Sequence, residues 1–365
     1  MKVLQLGMTA NHGGVESFVL NYTRVLKERG VAFDYVDLQG YGLVDAGRLL
    51  SEGSQIFTMK DYRKHPLLTL KRLKQIVRDG DYDCVHVNML SVASLVPVLG
   101  TLHPNTRVLV HSHNSQALGL PRKVLHAVNS TILRMLPVTR LACGKMAGDW
   151  MFGKKPYEIV PNAVDVEIYR FRGENRNALR SRLDIGPDTL VLGFAGRLSP
   201  QKNPTYLAKI LAAVKKKGLE NVKLLIVGDG ELQEAVREAA AELGVGEDIL
   251  FVGSQSNVNQ WYSAMDALLL PSLWEGLPLV GVEAQTAGLP CFFSDQITRE
   301  IAMTDLVRFL ELTDAADNWA RAILEINKSG TERTLYADMM GQTNYSIHRS
   351  AHRLYEIYGM AGGTQ

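Results

Sequence analysis

The sequence predicts an α/β protein made of two doubly wound parallel-sheet domains, and three observations carry that prediction. Short apolar runs that read as buried strands alternate with helical apolar periodicities along most of the chain. Gly- and Pro-containing turns follow many of those runs. At 365 residues and 46% hydrophobic content, the chain has enough material for two cores.

In chain order, residues 2–7 read as the first strand. Residues 15–30 read as a helix with Val15, Phe18, Val19, Tyr22 and Val25 on its apolar side. Between them lies the turn Met8-Thr-Ala-Asn-His-Gly-Gly14. Paired glycines there let backbone approach a ligand, and the following helix offers free N–H groups, so Gly13 and Gly14 are candidate binding residues. The turn is not G-x-G-x-x-G, and a dinucleotide is not specifically indicated. Further strands are expected at 31–38, 84–88, 107–111, 140–143 and 157–161, with helices in most gaps. His111-Ser-His-Asn-Ser115 ends one of these strands on the same edge as the Gly-Gly turn, where a histidine can hydrogen-bond a hydroxyl or steady nearby positive charge. Asp81-Tyr-Asp83 precedes a strand and reads as a solvated turn, not as a metal-binding carboxylate pair. Asn162-Ala-Val-Asp165 closes this half, and a polar connector runs through Arg172.

A second alternating set starts near Thr189. Residues 190–196 form a strand, and Arg197-Leu-Ser-Pro-Gln-Lys-Asn203 turns into a helix beginning at Pro204. Arg197 and Lys202 are a guanidinium fork and a point charge five residues apart, suited to neutralising a departing diphosphate. Strands at 222–227 and 248–252 follow; the first leads into Gly228-Asp-Gly230 and the second into Gly253-Ser254. An apolar strand at 267–270 then enters the Gly/Pro-rich turn that carries Glu275 and Gly276, and a helix starts near Leu279. Glu283 lies eight residues beyond Glu275, roughly 12 Å if the interval is helical, too far for the two to flank one scissile bond. They read as two grips on one long ligand, with the Leu279 and Val280 N–H groups between them at a helix end suited to phosphate. Strands at 291–294 and 306–312 and a last helix at 345–358, with Ile347, Ala351, Leu354 and Ile357 near one face, complete the chain.

The E-x7-E spacing of Glu275 and Glu283, with the other motifs in order, resembles the retaining glycosyltransferases of family 4, the "group 1" transferases; the likeness spans essentially all of the chain. It looks closest to bacterial exopolysaccharide and capsule transferases. The resemblance implies the GT-B fold, two Rossmann-like domains facing a cleft: an acceptor-side domain at 1–168, onto which 344–365 return, and a nucleotide-sugar domain at 169–343. It implies that Gly13 and Gly14, and Glu16 with them, face the donor diphosphate and acceptor. His113, with His111 second, would touch the donor sugar. Arg197 and Lys202 would hold phosphate in a G-R-L…K-N context, and Gly253 and Ser254 would hold the base through backbone. Glu283 would take ribose hydroxyls, and Glu275, beside Gly276, would touch the sugar. Ala163 stands where the family's P-N-G-V-D signature has glycine. The implied reaction is front-side transfer to a glycan or lipid-linked hydroxyl from a nucleotide-diphosphate sugar, a UDP-sugar, without metal or other cofactor. An epimerase or phosphorylase on the same fold, or a non-catalytic sugar-nucleotide-binding subunit, would share much of the pattern.

Composition narrows the setting. Cys84, Cys143 and Cys291 lack metal-type spacing and are odd in number, so neither zinc nor disulfides are indicated. No apolar run approaches the roughly 18 residues of a membrane span, and the N-terminal residues run straight into a strand, so a cytosolic location is expected. Net charge is +2, split into +7 over residues 1–170 and −5 over the rest, with no motif for nucleic acid. Within residues 60–78, Leu67, Leu70, Leu73 and Val77 suggest an apolar stripe beside Lys71, Lys74 and Arg78. That pattern fits an ordinary surface helix or one lying on anionic lipid at the inner membrane face.

Overall fold

The computed structural model describes residues 1–11, 13–114, 120–312, 316–326 and 332–359. The chain forms two compact units, Met1–Ala163 with the C-terminal segment from Ile347, and Val164–Ser346. The division falls inside Asn162-Ala-Val-Asp165, a few residues before the expected boundary at 168. The Val164 N–H bonds to the Tyr345 carbonyl at 2.8 Å, which places both crossings with the second unit.

The first unit holds a seven-stranded parallel sheet, β1 (Lys2–Leu6), β2 (Ala32–Asp37), β3 (Ile56–Thr58), β4 (Cys84–Met89), β5 (Arg107–Ser112), β6 (Thr139–Ala142) and β7 (Glu158–Ile159), in the order β3-β2-β1-β4-β5-β6-β7. Strand order reverses between β1 and β4, so their carboxyl ends open at a switch point. β3 is an edge strand of three residues, too short for its apolar pattern to announce it. Leu4, Leu6, Val85, Val87, Val108 and Val110 face one side of the sheet. Val3, Cys84 and Leu109 face the other, against helices Gly14–Lys27 and Ile347–Gly359. On that second side the strands are not purely apolar: Gln5 lies beside His86 in register, and Asn88 beside His111. Tyr22 on the first helix donates to the Pro161 carbonyl at 2.6 Å and bonds Ser350 on the last at 2.7 Å. The returning helix is thereby fixed in this unit; residues 360–365 of the expected returning segment lie outside the described residues.

The helix in the 60–78 region begins at Pro66 and buries Thr69, Leu73, Ile76 and Val77, leaving Leu67 80% exposed. Of the expected stripe, Leu73 and Val77 are packed and Leu70 is half-buried, while Leu67 at the first turn is not. Leu73 sits against Gly100 of helix Val96–Thr101, and Ile76 and Thr69 join the packed face.

The second unit holds a six-stranded parallel sheet, β8 (Leu190–Ala195), β9 (Val222–Val227), β10 (Ile249–Gly253), β11 (Ala267–Leu270), β12 (Cys291–Ser294) and β13 (Val307–Leu310), in the order β10-β9-β8-β11-β12-β13. Its switch point lies between β8 and β11. Both strands are buried along their whole length, as near-continuous apolar runs in a parallel sheet require. The lead into β11 is tied by charge: Asp266 accepts from Arg176 at 2.7 Å and Arg180 at 2.6 Å. Arg333 reaches the carbonyls of Ala287, Met265 and Tyr262 while covering the Phe171 ring at 4.2 Å. Burial pushes the Arg333 guanidinium down to about 9, so it remains charged at neutral pH.

Gly7 ends β1 at φ +107, where a Cβ would stand 2.1 Å from the Asn88 carbonyl oxygen. Gly30 has φ +77 with open space around it. Urea unfolding should therefore show Gly7→Ala costing about 3 kcal/mol or more, and Gly30→Ala only about 1 kcal/mol.

Candidate active site

In the second unit, Arg197, Lys202 and Glu275 lie in the turns that follow the two strands flanking the switch point. β8 leads through Gly196 into the Arg197 turn, and β11 leads through Pro271 to Glu275. Lys202 Nζ lies 2.6 Å from Glu275 Oε1, with both side chains largely buried. Gln201 Nε2 donates to Glu275 Oε2 at 3.3 Å and to the Trp274 carbonyl at 3.0 Å, and its own carbonyl accepts the Leu273 N–H at 2.8 Å. Backbone pairing of Glu275 with Ile297 and a bond from Ser294 Oγ to the Ser272 carbonyl at 2.5 Å hold the same turn from the β12 side. Arg197 does not join this pair. Its side chain is 74% exposed and meets Glu231 at 3.2 Å. A surface pair of that kind is worth about 0 to 1 kcal/mol, so the guanidinium is free to exchange partners.

Helix Leu279–Thr286 starts after Pro278 with no side-chain cap, which leaves the Leu279 and Val280 amides at its positive end; Gly276, in the turn before it, is exposed. One turn later Glu283 accepts from Tyr169 at 3.0 Å on Oε1 and from Tyr262 at 2.7 Å on Oε2. Burial raises the Glu283 carboxyl above its ordinary value, opposed by the two tyrosine hydroxyls and by Lys202. Neither tyrosine was marked in the sequence, and nothing local would mark them: Tyr169 lies 114 residues from its partner. Each carboxylate oxygen keeps a second lone pair for another donor.

Gly253 and Ser254 lie at the carboxyl end of β10, with Gly253 at φ +71 and open space around it. The intervening Gly228-Asp-Gly230 has a role that the sequence did not reveal. A Cβ on Gly228 would stand 2.0 Å from the Gly196 carbonyl oxygen, and one on Gly230 would stand 2.5 Å from that of Leu198. The two glycines let the β9 turn lie against the Arg197 turn, joined by a 2.8 Å bond from the Leu198 N–H to the Asp229 carbonyl.

In the first unit, Gly13 precedes helix Gly14–Lys27 in extended backbone and gives it no side-chain cap. Glu16 is buried beneath the turn: its Oε1 accepts from the Thr9 N–H at 2.8 Å and the Thr9 hydroxyl at 2.9 Å. It supports the turn from within. The two candidate histidines are separated by the structure. His111 is fully buried, its Nδ1 3.2 Å from His86 Nε2, whereas His113 lies just past the end of β5, partly exposed, with Nε2 2.9 Å from Asn88 Oδ1. His86 in turn lies 2.6 Å from the Tyr358 hydroxyl. Asp81 and Asp83 sit at the opposite, amino-terminal edge, where Asp83 accepts the Lys2 N–H at 2.6 Å.

Burial holds His86 down to about 3 and His111 well below the ordinary histidine range, with repulsion from His113 adding to the effect on both. Their folded values lie below the unfolded value, so the stability from keeping them neutral is complete above about pH 6.5 and is lost as pH falls toward 3. Urea unfolding should weaken below pH 6 by up to about 1.4 kcal/mol per pH unit for each buried histidine, and His86→Gln should flatten that slope.

Comparison with known proteins identifies the family and the fold. The "Glycosyltransferase Family 4" model matches residues 12–168, and the "Glycosyl transferases group 1" model matches residues 175–342. A Bacillus subtilis protein named as glycosyltransferase EpsF is 27% identical over 99% of this chain and 97% of its own length. The Escherichia coli UDP-Gal:alpha-D-GlcNAc-diphosphoundecaprenol alpha-1,3-galactosyltransferase is 28% identical over 77% of this chain and 72% of its own. The crystal structure of Anabaena HepE in complex with UDP superposes with a TM-score of 0.79 at 18% identity, covering 98% of this chain and 100% of that one, which shows the GT-B fold. With one model on each unit, the chain belongs to the group 1, family 4 glycosyltransferases.

Proposed function

We propose that this glycosyltransferase moves a sugar from a nucleotide-diphosphate sugar, a UDP-sugar, to a hydroxyl of a growing or lipid-linked glycan in exopolysaccharide or capsule synthesis, with retention of configuration and without a metal. The observation that carries the reading is the Lys202 and Glu275 pair beside an uncapped helix start, with Glu283 one turn further on. Cation, free amides and carboxylate follow the order phosphate, phosphate and ribose along one ligand. Lys202 is held by a single carboxylate, so a diphosphate with more charge competes for it while Glu275 turns to sugar hydroxyls. Arg197 gives up only a solvent-exposed pair to join. As the bond to the leaving diphosphate breaks, negative charge grows on its oxygens, and these fixed donors stabilise that charge more than they stabilise the ground state. Glu283, steadied by Tyr169 and Tyr262, accepts the ribose hydroxyls. A front-side course, in which the leaving phosphate takes the acceptor proton, supplies retention with no enzymatic nucleophile.

Two relatives support the substrate classes. HepE is titled as a complex with UDP, and the Escherichia coli enzyme is named for a UDP-sugar donor and a diphosphoundecaprenol-linked acceptor. A lipid-linked acceptor calls for a surface that can approach a bilayer. Helix Leu120–Leu133 suits this better than helix Pro66–Asp79: it exposes Leu120, Val124, Leu125, Val128 and Ile132, followed by Met135. No acidic residue occurs between positions 120 and 135, whereas Arg122, Lys123 and Arg134 do. An apolar row with basic flanks fits an anionic bilayer interface. No helix among the described residues is long and apolar enough to cross a membrane.

A thermal-shift screen against UDP, GDP, ADP and CMP in EDTA tests the donor site. UDP at 100 times its dissociation constant should add about 2.7 kcal/mol, and Glu283→Ala and Arg197→Ala should each lose that gain; stabilisation by another nucleotide alone would replace the UDP assignment. For the acceptor side, flotation with vesicles containing anionic lipid should carry the wild-type chain. Val128→Asp should cut binding at least tenfold, given the roughly 1.5 kcal/mol that burying one valine contributes.

A further inference from the structure

The polar residues on the inner face of the first sheet form one continuous hydrogen-bonded chain, and its direction can be read from a single unambiguous contact. Asn88 Nδ2 lies 3.0 Å from the Leu6 carbonyl oxygen. A carbonyl only accepts, so the Asn88 amide is oriented with its NH2 toward Leu6. Its second proton goes to Gln5 Oε1 at 3.1 Å, and its own Oδ1 faces His113 Nε2 at 2.9 Å. An oxygen without a proton requires one on that nitrogen, so His113 carries its proton on Nε2.

On the other arm, Gln5 Nε2 donates to the Tyr358 hydroxyl at 3.1 Å, and that hydroxyl lies 2.6 Å from His86 Nδ1. His86 Nε2 in turn lies 3.2 Å from His111 Nδ1. The Asn88 contact fixes the tautomer of His113, Nε2–H. The His113 ring cannot easily turn over, because Phe18 packs edge-on at 5.0 Å and the His111 ring lies at 4.1 Å. Its Nδ1 is buried and has no partner.

We propose that Asn88, locked by Leu6 and Gln5, is a positioning residue that fixes His113 as the Nε2–H tautomer, so that His113 meets a ligand as a hydrogen-bond acceptor through Nδ1. Resting on the donor-sugar reading above, the group it accepts from is a sugar hydroxyl. The preference is chemical: a hydroxyl can donate to this lone pair, whereas a phosphate or carboxylate oxygen has no proton to offer and is rejected. His113 thus selects for the sugar part of a donor and against its anionic part.

Long-range proton–nitrogen correlation spectra of the full chain labelled with 15N-histidine test this directly. In the free protein, His113 should show a protonated Nε2 and a bare Nδ1; a proton on Nδ1 would overturn the proposal whatever the substrate. With UDP bound, the Nδ1 resonance should stay in place. With UDP-glucose, UDP-galactose or UDP-N-acetylglucosamine bound, at least one should move it toward the hydrogen-bonded position, and an unmoved Nδ1 with every bound sugar nucleotide would also sink it. Asn88→Ala should leave UDP affinity unchanged and weaken sugar-nucleotide affinity by about tenfold, the upper range for one hydrogen bond. Asn88→Ser, which restores an oxygen near His113, should recover part of that loss. If none of these nucleotides binds, the donor reading fails while the tautomer assignment still stands or falls on the free-protein spectrum.

Discussion

Backbone passing against backbone with no room for a side chain is the constraint on which both switch points depend. In the first unit Gly7 brings the end of β1 against Asn88 on β4, and in the second Gly228 brings the β9 turn against Gly196 after β8. These contacts decide where the loops that carry chemistry leave the sheets. Because β1 ends tightly against β4, Asn88 can reach the Leu6 carbonyl and still meet His113. Because the Gly228 turn supports the Arg197 turn, the short helical segment Pro200–Lys202 is placed to aim Lys202 at Glu275. A methyl group at either glycine would move a strand end, and a displacement of about 1 Å in a positioned group is enough to cost a large part of its catalytic contribution.

The two units solve different electrostatic problems with the same architecture. The second keeps its charges in pairs near the surface of the switch point, where they can exchange partners when an anionic ligand arrives. Glu283 is the exception, a carboxylate made tolerable in a buried place by two hydroxyls. In the first unit Gln5, His86, Asn88 and His111 are deeply packed beside the buried Glu16 carboxylate, and the effect of Asn88 lies in which nitrogen of His113 carries a proton.

Most of the strands were open to sequence reading because buried parallel strands are nearly continuous apolar runs, as at 190–195, 222–227 and 267–270, whereas their order in the sheet was not. Arg197, Lys202 and Glu275 were legible because each lies in a turn that follows a strand, and Glu283 because of its spacing from Glu275 on the helix that follows. What the sequence did not disclose was who partners whom. That Lys202 rests on Glu275, or that Tyr169 and Tyr262 share Glu283, depends on contacts between distant segments with no local signature. The helix from Pro66 shows a smaller difference, since Leu73 and Val77 pack as their spacing suggests while Leu67, at the first turn, is exposed. A signal did exist for the histidine network: Gln5, His86 and Asn88 interrupt otherwise apolar strands at alternate positions, a pattern that costs stability unless every group finds a partner.

The return of helix Ile347–Gly359 to the first unit has a consequence for how the chain is made. The second unit is encoded as one uninterrupted stretch, so during synthesis it can close its core while the first still lacks the helix that carries Tyr358 and Ser350. Until that last segment emerges, Tyr22, Gln5 and His86 face an open groove with their polar groups waiting for water or a partner. The amino-terminal half, although made first, closes its core after the second unit, and the polar network on its sheet is completed only when helix Ile347–Gly359 supplies Tyr358.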